Sequence, residues 1–141
     1  RVDIKSVSLL PNVLAKQEAR EKGAYEAWYV GSDGFITEGA SSNAWIVTKD
    51  GRVVTRSAES GILAGITRAV LMEVMAALQI TLEERPFTPA EAHEAAEAFV
   101  TSASQIVMPV VAIDGQIVGN GRPGGIARRL REEFHRFSAF S

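Results

Sequence analysis

The chain has 141 residues, with 15 Lys and Arg against 17 Asp and Glu, a formal net charge of -2 and no cysteine. These counts exclude a disulfide-stapled secreted domain and a Cys-ligated zinc module, and 46% hydrophobic residues argue against a disordered polyelectrolyte. The charge balance supplies no electrostatic reason to bind nucleic acid or an anionic membrane, and no apolar run reaches the ~18 residues of a membrane helix.

A chain of this length buries about 68% of its unfolded surface, enough for one core. A single domain over residues 1–141 is expected, cytoplasmic because no signal or transit segment is visible. The chain opens at Arg1 without Met and runs straight into patterned sequence. That fits a piece of a longer protein and a trimmed terminus of a complete domain equally.

In chain order, Pro11 to Lys22 places Val13, Leu14 and Ala19 at helical spacing and stops at Gly23, a suitable residue just past a helix end. Ser32-Asp33-Gly34 separates Glu26–Val30 from Phe35–Thr37, and Lys49-Asp50-Gly51 separates Ala44–Thr48 from Arg52–Thr55. Asp-Gly between β-rich runs is a strong hairpin signal, so residues from about 25 to 55 read as an antiparallel meander. Ile66 to Leu78 carries Val70, Leu71, Val74, Met75 and Leu78 on one helical face.

Thr88-Pro89-Ala90-Glu91 is a capping box with Pro at the first helical position, and it opens an Ala-rich helix through about Glu97. Asp114-Gly115 is a third hairpin turn, joining Ile106–Ile113 to Gln116–Val118. Gly124 to Phe137 has Ile126, Leu130, Phe134 and Phe137 on one face and Arg and Glu opposite. Strands with hairpins mixed with helices predict an α+β, or mixed α/β, fold.

Templates for nucleophilic and metal chemistry find no match. His93 and His135 sit in predicted helices beside Glu or Arg and read as surface residues. There is no zinc-type histidine pair, no Gly-x-Ser-x-Gly and no P-loop, so no metal is expected.

Three segments stand out. Gly61-Ile62-Leu63-Ala64-Gly65-Ile66-Thr67-Arg68 puts two glycines before a helix start and Thr67 in its first turn. Free N–H groups, the helix dipole and the Thr67 hydroxyl suit an anion there; the alternative is an ordinary strand-to-helix loop. Thr101-Ser102-Ala103-Ser104 follows the apolar run Ala98-Phe99-Val100 and could present N–H and O–H groups to a phosphate, or be a plain polar turn. In Thr37-Glu38-Gly39-Ala40-Ser41-Ser42-Asn43, a carboxylate at a strand end precedes small residues that leave room for a ligand near the backbone, or Glu38 is a surface residue before a bulge.

Taken in order, Asp3-Ile4-Lys5-Ser6, Leu9-Leu10-Pro11-Asn12-Val13-Leu14-Ala15, Thr37-Glu38-Gly39 with Ser41-Ser42-Asn43, Ile62-Leu63 with Gly65-Ile66-Thr67-Arg68, and Phe99-Val100-Thr101-Ser102 resemble the class IV pyridoxal-phosphate-dependent aminotransferases, most closely their D-amino acid branch. The resemblance implies the larger, C-terminal, cofactor-binding domain of that fold: an antiparallel-rich sheet or pseudo-barrel with flanking helices. It implies pyridoxal 5'-phosphate as cofactor and Lys5 as the residue that holds it as a Schiff base and moves the proton at the substrate Cα. That role needs a neutral amine, which desolvation and a nearby cation can supply. The competing Lys16 lies inside the first predicted helix.

Glu38 matches the partner of the pyridine nitrogen, favouring its protonated form. Ile66 and Thr67, after Gly65, match one phosphate-holding segment. Ser102 and Ala103 match the second, where Ala103 departs from the pattern by lacking a hydroxyl. Leu63 matches an apolar residue against the cofactor ring and Ser41 a small polar residue near the site.

After Lys5, branched-chain members carry a Gly-rich stretch ending in Tyr; here Ser6-Val7-Ser8-Leu9-Leu10 departs from it. The resemblance implies amino acid and 2-oxo acid substrates, with D-alanine and 2-oxoglutarate the pair of the D-amino acid branch. Aminodeoxychorismate lyase, branched-chain and R-selective amine transaminases are the alternatives within the family. It also implies that an N-terminal domain, supplying an arginine to the phosphate, a tyrosine and the substrate-carboxylate groups, is missing here, and that the enzyme is a homodimer. A non-enzymatic reading, with Arg122, Arg128, Arg129, Arg131 and Arg136 as a binding face, is weakened by the interrupting Glu132 and Glu133.

Overall fold

The structure, a computed structural model, describes residues 5–11, 26–37, 43–56, 65–102 and 106–138. Among these, nine strands form one sheet in the order β3-β2-β1-β8-β7-β4-β5-β6, with β9 paired to β8. They are β1 (Lys5–Pro11), β2 (Glu26–Val30), β3 (Ile36–Thr37), β4 (Asn43–Val47), β5 (Val53–Thr55), β6 (Leu82–Glu84), β7 (Glu97–Ser102), β8 (Ile106–Ile113) and β9 (Gln116–Ile117). Three helices are described: α1 (Gly65–Ala77), α2 (Pro89–Glu94) and α3 (Gly125–Ser138).

Each Asp-Gly step turns the chain between antiparallel partners: β2 to β3, β4 to β5, and β8 to β9. The last shows why the dipeptide is used. Asp114 and Gly115 both adopt left-handed φ, 50° and 78°, as a two-residue hairpin matched to strand twist demands.

The meander expected over residues 25 to 55 is not formed. Its two hairpins lie apart, because β2 pairs with β1 in parallel and β4 pairs with β7. The reason is burial. All five residues of β4 are buried, so β4 is a central strand covered on both faces. A two-residue neighbour such as β3 could not flank it along its length. Pro11, expected to open a helix, is instead the last residue of β1, and the rest of that expected helix lies outside the described residues. The parallel pairs are β1 with β2, β1 with β8, and β5 with β6; the other five are antiparallel.

The sheet curls until its ends meet. The Ile36 N–H, on β3, donates to the carbonyl of Phe87, just beyond β6, at 2.8 Å, and the Trp28 and Phe87 rings meet edge to face at 6.2 Å. This is the expected pseudo-barrel. Alternate residues of each strand then serve two cores. Inside lie Val7, Trp28, Ile36, Ala44, Ile46, Val54, Ala98, Val100 and Val110, closed by Phe87 and by Ala92 of α2. Outside, Trp45, Val47, Val53, Phe99 and Val107 pack under α1 through Leu71, Val74 and Met75 and under α3 through Ala127, Leu130 and Phe134.

The helix termini have separate devices. Thr88 and Glu91 form the expected capping box at α2, but the helix ends at Glu94, and Glu97 starts β7 rather than ending a helix. That leaves the Glu97 carboxylate free to reach across to α3, where it accepts from the N–H groups of Ile126 at 3.1 Å and Ala127 at 3.0 Å. At the end of α1, Gln79 takes a left-handed φ of 59°. The Gln79 N–H donates to Ala76 and the Ile80 N–H to Met75, the paired bonds of a Schellman stop.

Candidate functional site

Strand directions collect chain ends at one rim of the barrel. β7 and β8 are antiparallel with Ser102 opposite Ile106; β4 and β7 are antiparallel with Asn43 opposite Thr101; β4 and β5 are antiparallel with Trp45 opposite Thr55. The end of β7, the start of β8, the start of β4 and the end of β5 therefore share a rim. Lys5 starts β1 on the same side, partnered with Val110, and the register shifts between Lys5 and Ser6. Thr37, the last residue of β3, pairs with Tyr29 on the parallel neighbour of β1 and points the chain the same way.

Helix α1 begins at this rim. Its second-turn face is anchored on Leu71, Val74 and Met75, which fixes where its first turn lies. Thr67 is buried, and its hydroxyl donates to the Ser102 carbonyl at 3.5 Å. That distance is long for O–H···O, so the contact costs little to exchange for a better acceptor. It also brings the two candidate anion-binding segments of the sequence into contact.

The first turn of α1 carries no acidic side chain. The other two helices have a carboxylate at that position in space: Glu91 in the capping box of α2 and Glu97 on α3. The first N–H groups of any helix lack intrahelical partners and prefer negative charge.

Of the residues singled out in the sequence, Lys5 lies in β1, Gly65, Ile66 and Thr67 in the first turn of α1, and Ser102 at the end of β7. Glu38, Ser41, Leu63 and Ala103 lie outside the described residues; Glu38 follows Thr37 directly in the chain and Ala103 follows Ser102. Ile106 reopens the sheet with a φ of 60°, an unusual conformation for a β-branched residue.

The structure gives a place to residues that the sequence reading named without a role. Arg68 is 4% exposed. Its Nη2 donates to the Arg56 carbonyl at 2.8 Å and to Glu84 Oε2 at 3.0 Å, and its Nη1 to Thr55 Oγ1 at 3.4 Å. Its guanidinium lies 5.2 Å from the Trp45 ring centroid. The Trp45 indole stacks on Phe99 at 5.5 Å and donates from Nε1 to Thr101 Oγ1 at 2.8 Å. The available signal was position: Arg68 lies on the same helical stripe as Leu71 and Met75.

Elsewhere, ion pairs link Asp50, Arg52, Glu83, Arg85 and Glu91 in a chain over the surface. The Thr48 hydroxyl and Arg52 hold the Asp50 carboxyl below the usual carboxylate range. Burial pushes Glu91 up, but Arg85 and the Thr88 N–H outweigh it and leave it low.

A groove of about 230 Å³ between β4 and α2, lined by Ile46, Thr48, Lys49, Glu91, Glu94 and Ala95, lies beyond the other end of β4. Arg128, Arg129 and Arg136 are exposed on α3, and Arg136 pairs with Glu133 at 3.4 Å. Among the described residues, no cluster of His, Asp and Glu could hold a metal ion, and no helix is long and apolar enough to cross a membrane.

Comparison with known proteins gives a consistent picture. The family model described as amino-transferase class IV matches residues 1–113. The chain is 42% identical over 137 residues to a D-alanine aminotransferase of Staphylococcus haemolyticus, covering 97% of this chain and 48% of that protein. To a D-alanine aminotransferase of Bacillus licheniformis it is 40% identical over 131 residues, covering 93% and 46%. The chain thus spans about half the length of the curated relatives it matches. The fold superposes on the branched-chain amino acid aminotransferase of Escherichia coli with a TM-score of 0.83 at 26% identity, over 95% of this chain and 52% of that one. A branched-chain amino acid aminotransferase of T.th., solved with pyridoxamine 5'-phosphate, superposes with a TM-score of 0.83 at 26% identity, over 96% and 52%.

Proposed function

The chain belongs to the class IV aminotransferases, and from that premise we propose that its rim and the start of α1 hold pyridoxal 5'-phosphate in an aminotransferase of the D-alanine type. The observation that carries the reading is the meeting of Thr67 and Ser102, which brings the start of α1 and the end of β7 within reach of one bound group. The donor set suits a phosphate: a helix N-terminus without an acidic residue in its first turn, a buried threonine hydroxyl and the small residues at the end of β7.

In this reading the N–H groups at the start of α1, the Thr67 hydroxyl and the backbone at Ser102 and Ala103 bind the phosphate. When bound, the cofactor supplies an electron sink for the bonds at the substrate Cα. Glu38 holds a proton at the ring nitrogen. Lys5 takes the proton from the substrate Cα and returns it. Leu63 excludes water beside the ring, and Ser41 adds a polar contact.

Substrate carboxylate recognition is assigned to a preceding N-terminal domain, this chain being the cofactor domain of a homodimeric enzyme. Identity of 40–42% to D-alanine aminotransferases, against 26% to the branched-chain structures, favours D-alanine with 2-oxoglutarate over branched-chain substrates.

The test uses the full-length protein. Reconstitution with pyridoxal phosphate should give a visible absorbance band, and borohydride should fix the cofactor on the peptide bearing Lys5. D-alanine with 2-oxoglutarate should yield pyruvate faster than L-leucine yields its oxo acid. Lys5→Ala should abolish turnover, and Glu38→Gln should slow it by orders of magnitude with cofactor still bound. Cofactor fixed on another lysine, or normal turnover by Glu38→Gln, would overturn the assignment.

A further inference from the structure

Two residues that touch nothing in the proposed chemistry stand next to two that do. Arg68 follows Thr67, and Thr101 precedes Ser102. Both converge on one fully buried side chain, Trp45. Its indole N–H is bonded to Thr101 at 2.8 Å, and the Arg68 guanidinium lies 5.2 Å from its ring centroid. Arg68 also ties the first turn of α1 to the rim through the Arg56 carbonyl, Glu84 and Thr55. Thr55 in turn donates to the Ala44 carbonyl, beside Trp45, at 2.8 Å. The result is one rigid connection running from α1 through β5 and β4 to β7.

We propose that Trp45 and Arg68 are positioning residues that fix the separation of the two phosphate-holding segments, so that the start of α1 and the end of β7 can grip one phosphate together. This rests on the cofactor reading above. The physical need is clear. Hydrogen bonds from two different elements to one anion are useful only if the elements are placed to within about 0.5 Å.

Arginine suits the post where lysine would not. Its planar fork reaches a carbonyl, a carboxylate and a hydroxyl at once while lying near an aromatic ring. A buried guanidinium without such partners is expensive to keep. The Thr67 to Ser102 contact, at 3.5 Å, spans the gap that this connection sets.

The test compares two probes on the full-length apoprotein: pyridoxal phosphate, and pyridoxal, which lacks the phosphate. The ratio of their affinities reads the phosphate grip alone. Trp45→Phe keeps an aromatic ring against Phe99 and removes the indole donor together with the five-membered ring that carries it, a packing loss that both probes share. It should lower pyridoxal phosphate affinity by about tenfold, the worth of one charge-assisted hydrogen bond, and leave pyridoxal affinity within about twofold. Arg68→Lys should act in the same direction, and the phosphorus resonance of the bound cofactor should shift in both variants.

Should Arg68→Lys fold poorly, Thr101→Val supplies the second variant, because it breaks the same link from the other side. Equal losses for both probes would mean a merely structural role and overturn the proposal, as would an unchanged ratio. Failure of the cofactor reading looks different: the parent protein itself would show no preference for pyridoxal phosphate over pyridoxal, and the positioning proposal would fall with it.

Discussion

The link from Glu97 to α3 can be tested quantitatively. Glu97 Oε2 accepts from the Ile126 N–H at 3.1 Å and Oε1 from the Ala127 N–H at 3.0 Å. Removing an N-cap acceptor costs about 0.5–2 kcal/mol, and losing a negative charge at a helix N-terminus about 0.3–1 kcal/mol. Glu97→Ala should therefore weaken α3 by about 2 kcal/mol, or about 30-fold faster amide exchange in its peptides if α3 opens locally. Glu97→Gln keeps one acceptor oxygen of two and should lose about half of that free energy.

Gly124 gives an independent handle. A Cβ placed there would lie 2.0 Å from the Glu97 carboxyl carbon and Oε1. Gly124→Ala must therefore expel the carboxylate and lose the same cap. In the Glu97→Ala background the obstacle is gone, so the double variant should cost no more than Glu97→Ala alone. Native-state hydrogen exchange of the α3 peptides in the full-length protein measures all four species. Additive losses, or Glu97→Ala exchange within about twofold of the parent, would refute the capping account.

Thr67→Val, which keeps shape and removes the hydroxyl, should weaken pyridoxal phosphate binding by about 10- to 100-fold, while Thr67→Ser retains most of it; equilibrium titration of the apoprotein decides. Gln79→Gly should stabilise the protein by about 0.5 kcal/mol, since relief of the left-handed strain exceeds the entropic cost of glycine; a fall in the urea midpoint would contradict the Schellman stop. Glu91 has its folded pKa held below the unfolded value, by Arg85 and Thr88 against burial. Its contribution is therefore complete at neutral pH and lost as pH falls through the carboxylate range. Glu91→Gln should be less stable than the parent at neutral pH and show a shallower loss on acidification, and parallel stability curves for the two proteins would exclude the linkage.

What could be read from the sequence divides along a physical line. The three Asp-Gly turns, the Thr88–Glu91 capping box and the apolar stripes of α1 and α3 each depend on a few neighbouring residues, and all are present where expected. Strand order depends on choices between distant partners, and there local reasoning failed. Ala44–Thr48 looks like one more strand of a meander until the burial of β4 on both faces is known, and in the sheet β4 lies between β7 and β5. Glu97 looks like the end of a helix until the start of α3, 29 residues later in the chain, is brought against it.

The candidate site shows the same division. Lys5 entered through a family resemblance alone, while Glu38, Ser41, Leu63 and Ala103 stood in segments marked on physical grounds but took their roles from the resemblance, none having a strong local signal of its own. Thr67 and Ser102 did carry one, as hydroxyls at an element's end, and the structure puts those two in contact. Arg68 and the α3 arginines make the contrast sharpest. All are arginines on amphipathic helices, yet Arg128, Arg129 and Arg136 are exposed while Arg68 is buried. Residue type separates none of them; position does. Arg68 shares the buried face of α1 with Leu71 and Met75, and a charge placed on an apolar stripe must find partners when the stripe packs. A rule that flags such a charge would have found Arg68 in the sequence, and would have left its partners at Thr55, Arg56 and Glu84 to the fold.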